Sequence, residues 1–390
     1  MKKLLGLLVA ALVAMPASAD VLNNVELKGE VQTIASDVRT GHDGDYKSGT
    51  NFRVLAGLSA DLVEDVRANV LFQYNDAWLS NFTGNTVQKY WDDVTLAEAN
   101  VVLSNLFDCF EATVGRQFYG DEDSAVMYVG PNHYVFNMNR APSLDAAKLT
   151  YSDDFKSVTL LAGKLVKATE NMTIYGADVK LNLTDTLKLQ AYGYDLKAGE
   201  DSTGLVHYDE KHTGFYGAKA TFAPEAFALS AEYARTFQGH RLVKESKDTP
   251  YLVKVDASLN LAAFTPRATF YYAKGDGFSM GNYYPSLLIG HLLAGDKDKA
   301  LSNYSNDGLR LFNVGVDYTY EKWVLSLDGY SFQDRTAQEA ATLEADLNVK
   351  YNHNEYVQLF AGVGYGKYGG AWKDAAKDNT IGQLGMLIKF

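Results

Sequence analysis

The 390-residue chain carries one cysteine, Cys109, and only seven prolines. A single thiol excludes an internal disulfide and a thiolate metal cluster, even in an oxidising compartment. Beyond the first fifteen positions no apolar run resembles a membrane-spanning helix. A linker, a break in composition and a low-complexity stretch are also missing, so nothing divides this long chain into two soluble domains. Basic residues are outnumbered, 36 Lys and Arg against 48 Asp and Glu, for a formal charge of -12. That balance excludes non-specific nucleic-acid binding.

What is present points to strands and turns: 26 Tyr, 19 Phe and 33 Gly. Lys2 and Lys3 precede the apolar run Leu4 to Met15, and Ala17-Ser18-Ala19 forms a small-residue cleavage site. Residues 1–19 therefore read as a secretory signal peptide, too short to span a bilayer. Without Lys2 and Lys3, 34 basic residues face 48 acidic ones, a charge of -14 for residues 20–390.

From Asp20 onward the hydropathy alternates with period two. Val25, Leu27, Gly29 and Val31 share one face of the first segment, and Glu26, Lys28, Glu30 and Gln32 share the other. Leu343, Ala345, Leu347 and Val349 against Glu344, Asp346, Asn348 and Lys350 repeat the pattern near the end. The last segment, Ile381 to Phe390, places Gly382, Leu384, Met386, Ile388 and Phe390 on one face. Lipid outside and a wet lumen inside account for this pattern. The fold expected is all-β, a transmembrane antiparallel β-barrel of about 18 strands, with 16 as fallback because Asp93 to Leu103 and Phe155 to Leu165 alternate weakly. A barrel grows by adding strands, so its length creates no core too large for one domain.

Connection lengths support the count. Eight short turns alternate with nine long connections, near 39–50, 77–93, 119–142, 166–171, 198–210, 238–249, 275–308, 335–340 and 367–378. Eighteen strands need seventeen connections, with both ends periplasmic. Aromatic residues gather beside the short turns, among them Tyr151, Phe155, Phe222, Phe227, Phe264, Trp323, Tyr351 and Phe390. They read as a periplasmic girdle. Terminal Phe390 is also where the outer-membrane barrel-assembly machinery is expected to engage the chain.

Positions expected to line the pore include the basic residues Lys28, Arg53, Arg67, Lys148, Lys180, Lys188, Lys219, Lys254 and Arg267. Asp317, Asp328, Glu344 and Asp346 are among the acids that nearly match them in number. Strands six to thirteen lean basic and fourteen to sixteen lean acidic, which implies a field across the pore. The seven histidines fall in loops or turns without the spacing of a catalytic triad. Neither a catalytic site nor a cofactor nor a metal is expected. The connection 275–308 is long and apolar at Tyr283 to Gly290, so it is expected to fold into the lumen or over its mouth.

The string Val114 to Asp121, VGRQFYGD, followed by Arg140 and Asp145, resembles the alginate-export family of outer-membrane porins. Gly115, Arg116, Gln117, Gly120, Asp121, Arg140 and Asp145 carry the likeness, and Tyr284, Pro285, His291 and Asp296 resemble that family's loop, here a candidate constriction. The resemblance implies an eighteen-stranded barrel and, in the sharper form, export of an anionic polysaccharide. Arg116 shares parity with outward Val114. Unless it sits above the hydrocarbon zone, a bulge at Gly115 must turn it inward, toward Asp121 or Asp145. The expectation is a channel in the outer membrane of a Gram-negative-type bacterium, passing small hydrophilic or saccharide-like solutes and surrounded by outer-membrane lipid. A plugged structural or adhesive barrel is the alternative.

Overall fold

The computed structural model describes residues 23–40, 46–78, 94–122, 124–133, 141–166, 171–198, 212–237, 250–274, 286–287, 309–334, 342–367 and 379–390. The signal-peptide reading of residues 1–19 lies outside them.

Eighteen strands form one sheet. They are β1 (Asn23–Thr40), β2 (Tyr46–Val63), β3 (Val66–Trp78), β4 (Thr95–Leu106), β5 (Phe110–Gln117) and β6 (Ser143–Ser152). Next come β7 (Lys156–Val166), β8 (Asn171–Asn182), β9 (Leu187–Ala198), β10 (His212–Phe222), β11 (Phe227–Phe237) and β12 (Tyr251–Leu259). The rest are β13 (Phe264–Lys274), β14 (Leu309–Tyr320), β15 (Trp323–Asp334), β16 (Thr342–Asn352), β17 (Val357–Lys367) and β18 (Asn379–Lys389). Each pairs antiparallel with its sequence neighbour, and β1 pairs with β18 from Glu30↔Lys389 to Thr40↔Asn379. Closure leaves no free edge, the condition for a sheet to cross a bilayer. Phe390 completes the seam, exchanging backbone bonds of 2.8 and 3.0 Å with Gly29. The weakly alternating segments are genuine strands, β4 and β7, so the count is eighteen. β1 and β2 run longer than the alternation implied, reducing their connection to residues 41–45.

Side-chain exposure follows the pleat. On β1, Val25 and Leu27 face outward at 41% and 53% exposure, while Glu30, Gln32, Ile34 and Ser36 are buried on the inner face. Leu160, Phe312, Leu327, Leu347, Val363 and Leu384 continue the outward apolar band. At the periplasmic end, aromatic pairs brace neighbouring strands: Phe222–Phe227, Phe264–Tyr318 and Trp323–Tyr351, with ring centroids 5.5, 4.9 and 4.6 Å apart. Such pairs suit the boundary between hydrocarbon and headgroups.

The inner face is divided by height. Toward the external end of β6–β15 it is apolar, with Leu144, Leu161, Leu165, Ile174, Tyr194, Phe215, Leu252, Leu311 and Phe332. Lower on β6–β10 it carries Lys148, Thr150, Ser157, Thr159, Asp178, Lys180, Gln190 and Lys219. An apolar patch inside a wet barrel needs a cover, and the connection from β5 to β6 supplies one.

Candidate functional site

After Gln117 the chain turns into the barrel. Gly120 has φ +89°, and a Cβ there would strike the Met127 carbonyl, so the turn depends on glycine. Tyr119 and Val129 exchange both backbone bonds at 2.8 Å. Between them the Ser124 hydroxyl accepts the N–H groups of Val126 and Met127 at 3.3 and 3.1 Å, a local serine turn. Residues 118–122 and 124–133 thus form a narrow hook, tied to itself before it touches the wall.

Its flank is apolar. Ala125, Val126, Met127 and Val129 are at most 3% exposed and belong to one cluster with the apolar inner wall. Full burial of a valine or methionine side chain contributes about 1.5–3 kcal/mol. Tyr119 joins the cluster edge, its ring edge-on to Tyr194 at 6.1 Å and the two hydroxyls 3.0 Å apart. Burial pushes the Tyr119 phenol up to about 12. It stays a neutral hydrogen-bonding group.

The tip is charged. His133 reaches Glu122 through Nδ1 and Glu30 of β1 through Nε2, each at 2.8 Å, and its backbone N–H donates to Glu122 at 2.8 Å. Arg53 of β2 is completely buried and its Nη2 donates to Glu30 at 3.0 Å, to Gln32 at 2.6 Å and to the Asn132 carbonyl at 2.8 Å. Burial alone would lower the His133 pKa, but the hydrogen bonds to Glu122 and Glu30 outweigh it and hold the imidazole above its ordinary 6.5. Burial pushes Glu122 up, and the bonds to His133 prevail, leaving it below 4.5. The chain returns to the wall where Ala141 and Gln73 of β3 exchange bonds of 3.0 and 3.2 Å.

Under the hook lies a cavity of about 550 Å³. Tyr119, Tyr128, Tyr192 and Tyr194 line it with Lys148, Lys180, Lys219, Glu111, Asp121, Asp178 and Glu232. Tyr192 donates to Glu232 at 2.6 Å. Among the described residues no group of three or more His, Cys, Asp or Glu side chains is placed to hold a metal ion.

The basic residues singled out from sequence all sit on inward positions of their strands, most of them against carboxylates. Lys28 meets Glu98 at 2.8 Å, Lys148 meets Glu111 at 3.8 Å, and Lys254 meets Asp256 at 3.3 Å. Arg67 pairs with Glu26 and with Asp61. Lys180 lies 3.4 Å from Asp121, joining a wall residue to a residue of the VGRQFYGD string. Arg267 binds Asp317 at 3.2 Å and Asp328 at 2.6 Å, neutralising much of the acidic sector. Lys188 and Lys219 form no ion pair among the described residues. Across the barrel Glu344 accepts the Ser286 hydroxyl and Asp346 accepts the Leu287 N–H, both at 2.9 Å. Leu287 packs on Val38 and Ile381, so this point of the connection 275–308 rests on the inner wall. Tyr284, Pro285, His291, Asp296 and Arg140 lie outside the described residues.

Of the two placements open to Arg116, the structure takes the rim position and not the bulge at Gly115. Gly115 has φ +121°, yet β5 keeps unbroken register with β6 through Gly115↔Ala146 and Arg116↔Asp145. Arg116 therefore points outward at the external rim and grips Asp145 in a two-pronged ion pair of 2.8 and 2.9 Å. Gln117, facing inward, donates to the Ala146 carbonyl at 3.0 Å. The string is thus a rim fastening and the start of the hook. Sequence reasoning gave the apolar-loop argument to residues 283–290; the shorter run Ala125 to Val129 carried the same signal.

A closed eighteen-stranded barrel, apolar outside and narrowed within by one of its own external loops, defines an outer-membrane porin. The chain belongs to the Gram-negative porin family, whose model matches residues 6–371. It is similar in structure to OpdO of Pseudomonas aeruginosa, with TM-score 0.64, 12% identity and coverage of 95% of this chain and 98% of that one. OpdQ of Pseudomonas aeruginosa gives 0.64 at 10% identity over 95% and 99%. OccAB4 of Acinetobacter baumannii gives 0.62 at 11% over 95% and 98%. Identities this low speak to the fold alone. No curated protein matches the chain in sequence. The family places the protein in the bacterial outer membrane. The alginate-export resemblance is not confirmed: the family shown is the Gram-negative porin family, and of the residues that suggested the likeness, Gly115, Arg116, Gln117, Gly120, Asp121 and Asp145 serve rim and hook.

Proposed function

We propose that the protein is a diffusion channel for small hydrophilic solutes, charged or saccharide-like, whose passage is set in the space beside the hook. The observation that carries this reading is the cavity under residues 118–133, where tyrosine hydroxyls, lysines and carboxylates face a common volume. Aromatic and hydroxyl surfaces suit sugars, and paired charges orient ions without trapping them. The inward basic and acidic residues named above serve as pore lining. Most are mutually neutralised, so the net field comes from Lys188 and Lys219 on β9 and β10, which form no ion pair among the described residues. This balance disfavours a dedicated polyanion exporter, which needs an unbroken basic path. Phe390 and the seam it closes are the segment offered to the barrel-assembly machinery.

Reversal potentials in planar bilayers under a salt gradient test the reading. The double variant K188Q/K219Q shifts selectivity toward cations by roughly 10 mV or more at low ionic strength, where fields are least screened. No stable current from the wild-type protein, or unchanged selectivity in the variant, contradicts the channel and the field respectively.

A further inference from the structure

The strand register gathers three of the inward lysines around one residue. Lys180 of β8 and Lys219 of β10 both pair with Gln190 of β9, so they stand two strands apart, about 10 Å. Lys188 lies two residues along β9 from Gln190, diagonal to both at about 7–8 Å. The long flexible stems of these side chains let their ammonium groups converge on one point in the lumen. Lys148, which also lines the cavity under the hook, stands apart from this triangle. Lys180 pairs with Ser157 and Ser157 with Ser152, four residues from Lys148, a separation of about 16 Å.

The carboxylates around the triangle have other partners. Glu232, opposite Lys219 on β11, accepts the Tyr192 hydroxyl at 2.6 Å, and Asp178 accepts the Gln190 amide at 2.5 Å. Asp121 of the hook meets Lys180 at 3.4 Å, but both side chains are exposed and such a contact is weak. Ser157 pairs with Lys180 and Thr221 with Lys188, adding hydroxyl donors at the border. Tyr192 and Tyr194 follow Gln190 on β9 toward the external end. With Tyr119 and Tyr128 of the hook they line the cavity of about 550 Å³ that Lys180 and Lys219 also face.

We infer that Lys180, Lys188 and Lys219 bind the phosphate of a phosphorylated saccharide whose sugar occupies the tyrosine-lined cavity. Charge and valence select this occupant. A phosphate monoester carries about -1.5 to -2 charges on three acceptor oxygens, whereas a carboxylate offers one charge on two. Three ammonium groups bordered by hydroxyls match the first and exceed what the second can accept. The assignment rests on the channel reading and names the solute for which the space beside the hook is built. One anchoring point of this kind serves a small dianion and is distinct from the continuous basic path of a polyanion exporter. A phosphate held there competes with Asp121 for Lys180.

The test is isothermal titration of the full barrel in detergent with glucose 6-phosphate, glucuronate and inorganic phosphate. The wild-type protein is expected to bind glucose 6-phosphate at least about tenfold more tightly than glucuronate, and K180Q/K188Q/K219Q to lose that preference. K148Q, outside the triangle, should keep it, and D121N should tighten glucose 6-phosphate binding by about twofold. Equal binding of the ester and the carboxylate by the wild-type barrel, retained preference in the triple variant, or a loss in K148Q as large as that in K180Q would overturn the assignment. Inorganic phosphate binding as tightly as the ester would overturn its saccharide half. Should the triple variant fail to assemble, the single exposed change Lys188→Gln carries the test, with a loss of about threefold expected and no change contradicting it. Titration needs no conductance, so the two readings fail separately. A barrel that binds the ester but carries no current contradicts the channel, and a conducting barrel without the preference contradicts the site.

Discussion

The two attachments of the hook use opposite chemistry. Its flank rests on Val126, Met127 and Val129 against an apolar wall, and its tip is held by Arg53, Glu30, His133 and Glu122. The flank is indifferent to pH and salt because nothing in it ionises. The tip is directional, since three acceptors meet one guanidinium nitrogen and one imidazole bridges two carboxylates. An apolar patch can slide; a fixed set of hydrogen bonds gives position. Burial holds the hook inside the barrel, while the charged tip decides where in the lumen it lies.

The most severe way to break that division is to charge the flank. Val126→Asp places a carboxylate in an apolar cluster at a cost of ~4 kcal/mol or more, enough to detach the hook. Single-channel recordings should show a larger and noisier conductance, with the barrel still heat-resistant in detergent. Removing the tip's central cation is next. Arg53→Ala leaves Glu30 with His133 alone and costs the attached state about 3 kcal/mol. The flank persists, so the expected result is frequent switching between two conductance levels rather than one large pore.

The smallest effect is that of pH, and it is strongest at the tip, because the Asp121–Lys180 pair is exposed. His133 faces Glu30 of β1 and Glu122 of the hook, and Arg53 of β2 and Tyr128 of the hook act on the same two carboxylates. His133 is raised above 6.5 in the attached state, so its contribution is complete below 6.5 and fades as pH climbs through the raised value. Glu122 is lowered beneath 4.5, so its contribution is complete above 4.5 and fades as pH falls through the lowered value. The channel should be quietest between those limits and more prone to switching at alkaline pH. His133→Gln should remove the alkaline change; persistence of that change would place the titrating group elsewhere.

The strands were legible because period-two alternation is a local signal, and even the weak segments β4 and β7 were bounded by readable turns. The direction of the lumen charges followed from the same parity. Partnerships across the barrel were not legible. His133 and Glu30 are 103 residues apart, and a loop histidine looks the same whether solvated or clamped. The inward fold of 118–133 was missed because its apolar run spans five residues, while 283–290 offered a longer one. Arg116 was half legible: parity put it outward and Asp145 was a candidate partner, but the sequence left a rim position and an inward bulge at Gly115 both open. In the barrel it is an exterior rim contact with Asp145, joined to the hook only through the backbone.

The central claim is that residues 118–133 set the width of the pore. Its most direct test is single-channel conductance of the barrel with residues 120–133 replaced by a short Gly-Ser bridge, beside the unaltered protein in the same salt. A severalfold rise, with loss of the pH-dependent switching, is the result expected of a hook that narrows the lumen. An unchanged conductance would mean that the constriction lies elsewhere and that the hook is only packing.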